Sequence, residues 1–196
     1  MLTWSGPADS SHVFLFAPGD SGCTTDLGPS RIAAGLAAQG IRVAQWDFVC
    51  DSEDAEERDA VMAAAVREAA AQCGEVPLVL GGMSRGARVS VGLVEELGAV
   101  AVLAFAYPFH SRTDPQTHGR ERDLAAVSVP VLLCQGTRDA HGNQQQVVGY
   151  RLPAHIQVHW LLDANHPLRP RPSSGHRQED QLAEATELAA AFIRAR

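Results

Sequence analysis

The pentapeptide Gly82-Met83-Ser84-Arg85-Gly86 matches the pattern G-x-S-x-G, in which one serine stands between two glycines. An apolar stretch typical of a buried strand precedes it, and the helix-forming sequence SRGARVSVGLVEELG continues from it. A strand that turns sharply into a helix at such a pattern holds the serine hydroxyl above the edge of a parallel sheet. The spacing therefore predicts a nucleophilic serine. The competing interpretation is a helix N-cap beside packing glycines.

A serine hydroxyl is a weak nucleophile at neutral pH, so it needs a base and a group that orients the base. In chains that use this strand–turn–helix motif, the catalytic acid follows the serine in the sequence, and the histidine follows the acid. Asp139 follows the apolar stretch at residues 129–136, and His166 follows the one at residues 156–163. Because the carboxyl ends of parallel strands share one edge of a sheet, we expect Ser84, Asp139 and His166 to meet there.

Other residues compete for the acid and base roles. His110 and His141 also lie in loops near the same predicted edge, and each is an alternative base. Asp163 is an alternative acid because it precedes His166 by only three positions. We favour Asp139 because Asp163 lies on the same strand end as the histidine that it would have to orient.

Backbone N–H groups are needed to stabilise the oxyanion of an acyl-transfer intermediate. The N–H of Arg85, at the start of the predicted helix, is the first expected donor. The second is expected from the loop after the first strand, where Gly19 permits a close backbone approach: the N–H of Asp20, or that of Ser21. An Asp20 carboxylate aimed at this site would repel the oxyanion, so we expect it to pair with Arg85. The other interpretation of this loop is an ordinary Pro-Gly turn.

Six strand-like stretches alternate with helix-like stretches along the chain. The predicted strands are residues 12–17, 41–48, 76–82, 100–107, 129–136 and 156–163. The predicted helices are residues 30–40, with Ser30 as N-cap, and residues 52–74, 84–98 and 178–196. Strands that are apolar along most of their length and alternate with helices indicate a mainly parallel sheet covered on both faces. The sequence thus predicts one doubly wound α/β domain over residues 1–196, with a six-stranded sheet.

The charge and composition of the 196 residues argue against several classes of function. All 16 basic residues are arginine, so a Schiff-base lysine and the lysine of a phosphate-binding P-loop are excluded. The formal net charge of -7, without a polybasic run, makes nucleic acid and anionic membranes poor partners. No apolar run approaches the roughly 20 residues of a membrane span, and the first residues lack signal-peptide features, so we expect a cytoplasmic protein.

The four cysteines are scattered along the chain: Cys23, Cys50, Cys73 and Cys134. They form no CxxC pair and no cluster with histidine, so neither a zinc site nor a disulfide framework is expected. Cys134 lies inside an apolar stretch and is interpreted as a core thiol. The predicted chemistry requires no metal and no organic cofactor.

Four stretches, GGMSRGARVS, LAFAYPFH, VPVLLCQGTRDAHG and DANHPL, occur in this order between residues 81 and 168. In them the chain resembles the small lid-less α/β-hydrolases related to dienelactone hydrolases, and the resemblance extends over residues 12–166. The most similar branch includes a testis-expressed protein and a subunit of a histone-acetyltransferase complex. The resemblance implies a sheet without the first two strands of the full hydrolase fold, ordered 2-1-3-4-5-6 in the numbering of the predicted strands. Family members usually carry His-Gly in the first loop, where this chain has Pro18-Gly19.

Residues 107–123 occupy the place where larger hydrolases insert a lid, and they are too few to form one. We therefore expect a shallow, open pocket that takes a small-molecule ester or thioester. Tyr107 and Phe109 are candidate walls of this pocket, with core packing as the equal alternative.

Two other functions stay open at this point. A catalytically silent interaction module is the stronger alternative, because relatives in the same branch serve as subunits of complexes. A dinucleotide-binding domain is the weaker one: Gly19, Gly22 and Asp47 are suitably placed, but the full G-x-G-x-x-G fingerprint is missing.

Overall fold

The computed structural model of the chain describes residues 2–20, 27–111 and 119–196. The strands in these ranges form one seven-stranded sheet in the order β1-β3-β2-β4-β5-β6-β7. Every neighbouring pair is parallel except β1 with β3, which is antiparallel. The strands are β1 (Thr3–Ser5), β2 (Val13–Ala17), β3 (Arg42–Gln45), β4 (Leu78–Met83), β5 (Ala101–Phe105), β6 (Val131–Gly136) and β7 (Ile156–Leu161).

The six predicted strands are all present, and their expected order is confirmed. The prediction of a six-stranded sheet is corrected by β1, which pairs with β3 through Thr3↔Gln45, Trp4↔Ala44 and Ser5↔Val43. This strand has three residues and is mostly exposed, so it leaves no apolar run in the sequence. Its stabilisation comes from the edge of β3 and from the Arg42 guanidinium, which stacks 4.4 Å above the Trp4 ring.

Helices cover both faces of the sheet, as a doubly wound fold requires. They are α1 (Leu27–Ala38), α2 (Ala55–Ala71), α3 (Arg85–Val91), α4 (Arg120–Ala126), α5 (Gln144–Gly149) and α6 (Gln178–Arg194), with a 3-10 turn at Pro172–Ser174. Helices α1 and α6 pack against each other on one face, and α2 packs against α3 on the other. The predicted α/β fold class is therefore confirmed.

The core consists of two layers, one on each face of the sheet. Alternate residues of β2 show the division: Val13, Leu15 and Ala17 belong to the layer under α2 and α3, whereas Phe14 and Phe16 belong to the layer under α1 and α6. All five are buried. A strand with both faces covered needs apolar residues at every position, which explains the continuous apolar runs in the sequence.

Two helix predictions need correction, and two short helices were not predicted. Helix α1 already includes residue 30, so Ser30 is not its N-cap; Pro29 fits the first turn because the N–H groups there have no partner within the helix. Helix α3 ends at Val91 and not at residue 98, and turns that begin with the Gly92 N–H donating to Val89 O (3.1 Å) follow it. The short helices α4 and α5 were not predicted, because neither has enough residues for a clear apolar periodicity.

Candidate active site

Ser84 lies at the turn between β4 and α3, at the carboxyl edge of the sheet. Its backbone angles are φ 53 and ψ -122, a conformation that side-chain-bearing residues rarely adopt. The Ser84 N–H donates to Phe105 O at 3.0 Å, which fixes the turn against the end of the neighbouring strand β5. Such strain persists only where the surrounding structure enforces it, and it is concentrated at functional sites.

The two glycines of the pentapeptide allow β4 and α3 to approach the chain that leaves β2. A Cβ atom on Gly82 would lie 2.0 Å from Ala17 O, and one on Gly86 would lie 2.3 Å from Pro18 O. Both distances are far below van der Waals contact. Glycine is therefore required at both positions so that the loop after β2 can pass beside Ser84.

The structure brings the three predicted catalytic side chains together. The Ser84 hydroxyl donates to His166 Nε2, with Oγ and Nε2 2.8 Å apart. The Nδ1–H of His166 donates to Asp139, at 2.8 Å from Oδ2 and 3.0 Å from Oδ1. Asp139 follows β6 and His166 follows β7, so both come from strand ends at the edge that carries Ser84. This arrangement can transfer a proton from the serine hydroxyl to an oriented imidazole.

The Asp139 carboxylate is completely buried and is held by uncharged donors. Its Oδ1 accepts from the backbone N–H of His141 at 2.8 Å, and its Oδ2 accepts from the side-chain amide of Gln135 at 3.1 Å. Gln135 is itself completely buried in β6. Gln135 was not among the predicted site residues, although a polar residue inside the apolar stretch VPVLLCQG is a visible signal.

Asp163, the alternative acid, points to a different set of partners. Its carboxylate accepts from the Arg171 guanidinium at 3.0 Å and from Arg138 at 3.4 Å. The hydrogen bond with Arg171 is the main cause that lowers the pKa of Asp163 to about 2. Asp163 is thus engaged by arginines, whereas Asp139 is the carboxylate in contact with His166.

The alternative bases, His110 and His141, take other positions. His110 is buried, and its Nδ1 bonds to the carbonyl oxygen of Ser111 at 2.9 Å and not to the hydroxyl of Ser84. His141 lies at the site, with its ring centroid 4.2 Å from that of His166, and its Nδ1–H donates to His110 O at 3.1 Å. Burial and the neighbouring His166 lower the pKa of His141. His141 therefore presents a neutral ring beside the proposed base.

The loop after β2 lies next to Ser84, as the predicted second oxyanion donor requires. A Cβ atom on Gly19 would lie 3.5 Å from Ser84 Cβ. The N–H of Asp20 follows directly in the chain, and the N–H of Arg85 opens α3 on the other side. Ser21, the alternative donor, lies outside the described residues.

The carboxylate of Asp20 is paired with arginines, as expected from the sequence. Its Oδ1 accepts from Arg85 Nε at 2.7 Å and also from Arg58 Nη2 at 2.9 Å, a partner that was not predicted. Burial raises the pKa of Asp20, but the hydrogen bonds and charges of the two arginines outweigh this effect and lower it overall. Asp20 is therefore an ionised carboxylate whose charge is balanced by neighbouring guanidinium groups.

Tyr107 and Phe109 are core residues in this structure and do not line an open pocket. Both are completely buried, and their ring centroids lie 5.0 Å apart in an edge-to-face arrangement. The Tyr107 hydroxyl donates to Arg120 O at 3.0 Å. Of the two interpretations of these aromatic residues, the packing one describes where they lie.

A small open cavity of about 140 Å³ adjoins the serine. Most of its lining is polar or charged: Asp20, Ser84, Arg85, Arg88, Pro108, Ser111, Arg120 and His141. Ser84 and the loop after β2 thus face the same space. A cavity of this size fits a small acyl or leaving group.

Residues 10–194 match the family model described as an alpha/beta hydrolase domain. The chain belongs to the alpha/beta hydrolase family. A search of curated proteins gives no match. The solved structures described next are 17–20% identical to this chain. At such low identity, their similarity shows that this hydrolase-family chain shares their fold.

Three solved structures illustrate that likeness. The esterase domain of a Rhodothermus marinus protein is 20% identical (TM-score 0.71), with 98% of this chain and 91% of that chain covered. An alpha-beta serine hydrolase homologue from Coxiella burnetii is 17% identical (TM-score 0.71; 98% and 90% covered). A serine hydrolase without a lid from Xanthomonas campestris is 20% identical (TM-score 0.71; 98% and 88% covered).

The structure of this hydrolase-family chain also bears on what was predicted for its cysteines, for a metal site and for a membrane span. Burial raises the pKa of the Cys73 thiol to about 11 and that of Cys134 to about 12, so both are poor nucleophiles. Cys23 and Gly22 lie outside the described residues.

In the described ranges, no three His, Cys, Asp or Glu side chains are grouped as metal ligands. None of the helices described is long and apolar enough to span a bilayer.

Proposed function

We propose that this protein is a serine hydrolase that cleaves small carboxylic esters or thioesters through an acyl-enzyme on Ser84, without a metal or organic cofactor. The observation that carries the proposal is the continuous chain of hydrogen bonds from Ser84 Oγ to His166 Nε2 (2.8 Å) and from His166 Nδ1 to Asp139 Oδ2 (2.8 Å). A buried acid, an oriented imidazole and a serine at a strained turn are the components of nucleophilic acyl transfer.

In the first half-reaction, Ser84 Oγ attacks the substrate carbonyl carbon while His166 Nε2 takes the hydroxyl proton. The carbonyl oxygen gains negative charge and accepts hydrogen bonds from the backbone N–H groups of Arg85 and Asp20. His166 then donates the proton to the departing alcohol or thiol. The bond from carbonyl carbon to leaving group breaks, and the acyl group stays on Ser84.

In the second half-reaction, His166 Nε2 removes a proton from water as the water oxygen attacks the acyl carbon. Collapse of the second intermediate returns that proton to Ser84 Oγ and releases the acid. Asp139 keeps the proton on His166 Nδ1 throughout, so Nε2 is free to act as the base. Gln135 and the His141 N–H hold Asp139 in place for this role.

Several features support a small substrate. The cavity at Ser84 holds about 140 Å³, and the buried rings of Tyr107 and Phe109 add no wall to it. The narrower family branch and the cytoplasmic location expected from the sequence stay predictions. A small-molecule ester as substrate, rather than a nucleic acid or a membrane, is part of this proposal.

The experiment that tests the proposal combines labelling and turnover. The parent protein should react with a fluorophosphonate probe and hydrolyse 4-nitrophenyl acetate. Ser84→Ala should lose both properties, while Ser128→Ala, which removes an exposed hydroxyl, should keep them. Thermal unfolding of all three proteins verifies that the fold is intact. A parent that neither labels nor hydrolyses any short ester contradicts the proposal and favours the silent interaction module.

A further inference from the structure

Among the described residues, three arginine side chains line the cavity beside Ser84, and two of them already have carboxylate partners. Arg85 donates to Asp20 at 2.7 Å and also contacts Asp59. Arg88 donates to both oxygens of Asp59, at 2.5 and 2.6 Å. These bonds fix the two guanidinium groups against α2 and the loop after β2.

The third cavity arginine, Arg120, is different. It stands at the first residue of α4, and its Nη1 donates to the backbone oxygen of Pro108 at 3.1 Å. Among the residues that the structure describes, no carboxylate lies within ion-pair distance of its guanidinium. The adjacent Glu121 carboxylate accepts from the Gly119 N–H at 3.0 Å and lies 3.9 Å from Arg122. Arg120 thus contributes to the cavity wall a positive charge that has no ion-pair partner among the described residues.

The charges around the cavity are unequal. Among the described residues, the guanidinium groups of Arg58, Arg85 and Arg88 share the carboxylates of Asp20 and Asp59, and Arg120 adds a fourth guanidinium nearby. Burial is the largest cause that lowers the pKa of Arg120, and the positive charge of Arg88 acts in the same direction, against a smaller opposing effect of Asp59. A partly buried cation of this kind gains most from an anion that enters the cavity and pairs with it.

We propose that Arg120 is a specificity-determining residue that binds a carboxylate of the substrate. The preferred substrate is then an ester or thioester that carries a free carboxylate a few atoms from the carbonyl carbon that Ser84 attacks. This inference rests on the proposed function of Ser84. A guanidinium without an ion-pair partner among the described residues matches a single negative charge, and its planar donors fit the two oxygens of a carboxylate.

The volume of the cavity limits the distance between the two ends of the substrate. The cavity has a volume of only about 140 Å³. A short aliphatic chain with a terminal carboxylate fits this space. A long acyl chain would have to leave the cavity through its open side.

The test compares matched pairs of substrates. One member of each pair is a 4-nitrophenyl ester of glutaric or adipic acid with a free terminal carboxylate, and the other has that carboxylate methylated. The ratio of kcat/KM for the charged and neutral members measures recognition of the carboxylate and cancels any general loss of activity. We expect a ratio of about ten or more for the parent, because a charge-assisted pair with arginine forms only with the charged member.

Variants of two neighbouring arginines assign the effect. Arg120→Gln should bring the ratio to about one, because kcat/KM for the charged ester falls much more than kcat/KM for the neutral ester. Arg120→Lys should keep part of the preference, because it keeps the charge but not the planar fork. Arg122→Gln, which removes an exposed arginine two positions along the same helix, should leave the ratio unchanged. The ratio of the parent should also fall as salt screens the ion pair.

The contrary results distinguish a failure of this inference from a failure of the proposed function. A parent that hydrolyses both members equally, or an Arg120→Gln variant that keeps the full preference, overturns this inference and leaves the serine hydrolase standing. Equal losses on both members in Arg120→Gln overturn it as well, since they indicate a structural role only. If no ester of either kind is hydrolysed, the proposed function itself has failed.

Discussion

The side-chain amide nitrogen of Gln135 lies 3.1 Å from Oδ2 of Asp139, and both side chains are completely buried. The same nitrogen lies 3.2 Å from Tyr107 O and 3.1 Å from Gly142 O. Gln135 therefore joins the end of β6 to the two loops that surround the acid. Because the amide carries no charge, it orients the Asp139 carboxylate without competing with His166 for its negative charge.

Replacing Gln135 by leucine should weaken both the fold and the catalysis. The variant leaves Tyr107 O, Gly142 O and Asp139 Oδ2 without this donor, so the free energy of unfolding should fall by about 1–3 kcal/mol. A less restrained Asp139 should lower kcat for a short ester by about tenfold. Urea denaturation and steady-state kinetics measure the two effects.

The control for this change is Gln178→Leu, since Gln178 bonds to Pro167 O (3.3 Å) at the start of α6 and does not contact the acid. It should leave kcat unchanged. If Gln135→Leu lowers stability but keeps the parent kcat, Gln135 supports the fold only.

Asp139 contacts His166, and Asp163 precedes it by three positions in the sequence. Replacing each of them by asparagine should have very different effects on kcat. Asp139→Asn removes the acceptor for His166 Nδ1–H and favours the tautomer in which Nε2 carries the proton. We expect kcat to fall by about 10³–10⁴-fold. Asp163→Asn breaks the pairs with Arg171 and Arg138 and should lower the melting temperature while kcat stays within a few-fold of the parent. Comparable losses of kcat in both variants would show that the acid has been assigned wrongly.

The positions of Ser84, Asp139 and His166 could be predicted because each follows a strand that the apolar pattern reveals. Parallel strands bring their carboxyl ends to one edge, so the order of strands along the chain was enough to predict a meeting point. The pairing of Asp20 with Arg85 followed from elementary electrostatics. None of these inferences required the path of the loops.

The residues that were missed depend on loops and short elements. Arg120 reaches the cavity from α4, a helix of seven residues whose position is set by tertiary contacts such as the bond from the Tyr107 hydroxyl. His141 was weighed only as a rival base, because its contact with His166 arises from the turn after Asp139. Phe109, for which core packing was the equal alternative, packs on Tyr107 and on Tyr150, and its contact with Tyr150 joins residues far apart in the sequence.

Removing the charge of Asp20 should not accelerate the reaction. Because Arg58 and Arg85 lower its pKa, Asp20 is ionised at neutral pH, but its charge is directed to the two guanidinium groups. Asp20→Asn should therefore give an equal or lower kcat on a short ester between pH 6 and pH 8. An unscreened carboxylate about 4 Å from the oxyanion would cost up to about 4 kcal/mol at an effective dielectric of about 20. A several-fold gain in kcat would thus reveal that the carboxylate faces the oxyanion.

His141 should make the stability of the protein more sensitive to acid. Burial and the nearby His166 lower the pKa of His141 in the folded protein, against a value of about 6.5 in an unfolded chain. Between these two values the unfolded state binds more protons than the folded state, so the free energy of unfolding decreases as the pH falls through this window. His110 and Asp139 also face the ring, but burial, the largest effect, favours the neutral form.

The His141→Gln variant removes this titration, so its free energy of unfolding should decline less than that of the parent between pH 7 and pH 5. Urea denaturation at pH 7, 6 and 5 measures the two declines, and the difference between them is insensitive to any loss of packing that is the same at every pH. His176→Gln is the matched control, because His176 is exposed before α6 and should leave the parent's decline unchanged. A steeper decline in His141→Gln than in the parent would mean that the folded protein stabilises a charged His141, through Asp139 or the His110 carbonyl oxygen, more strongly than burial opposes it.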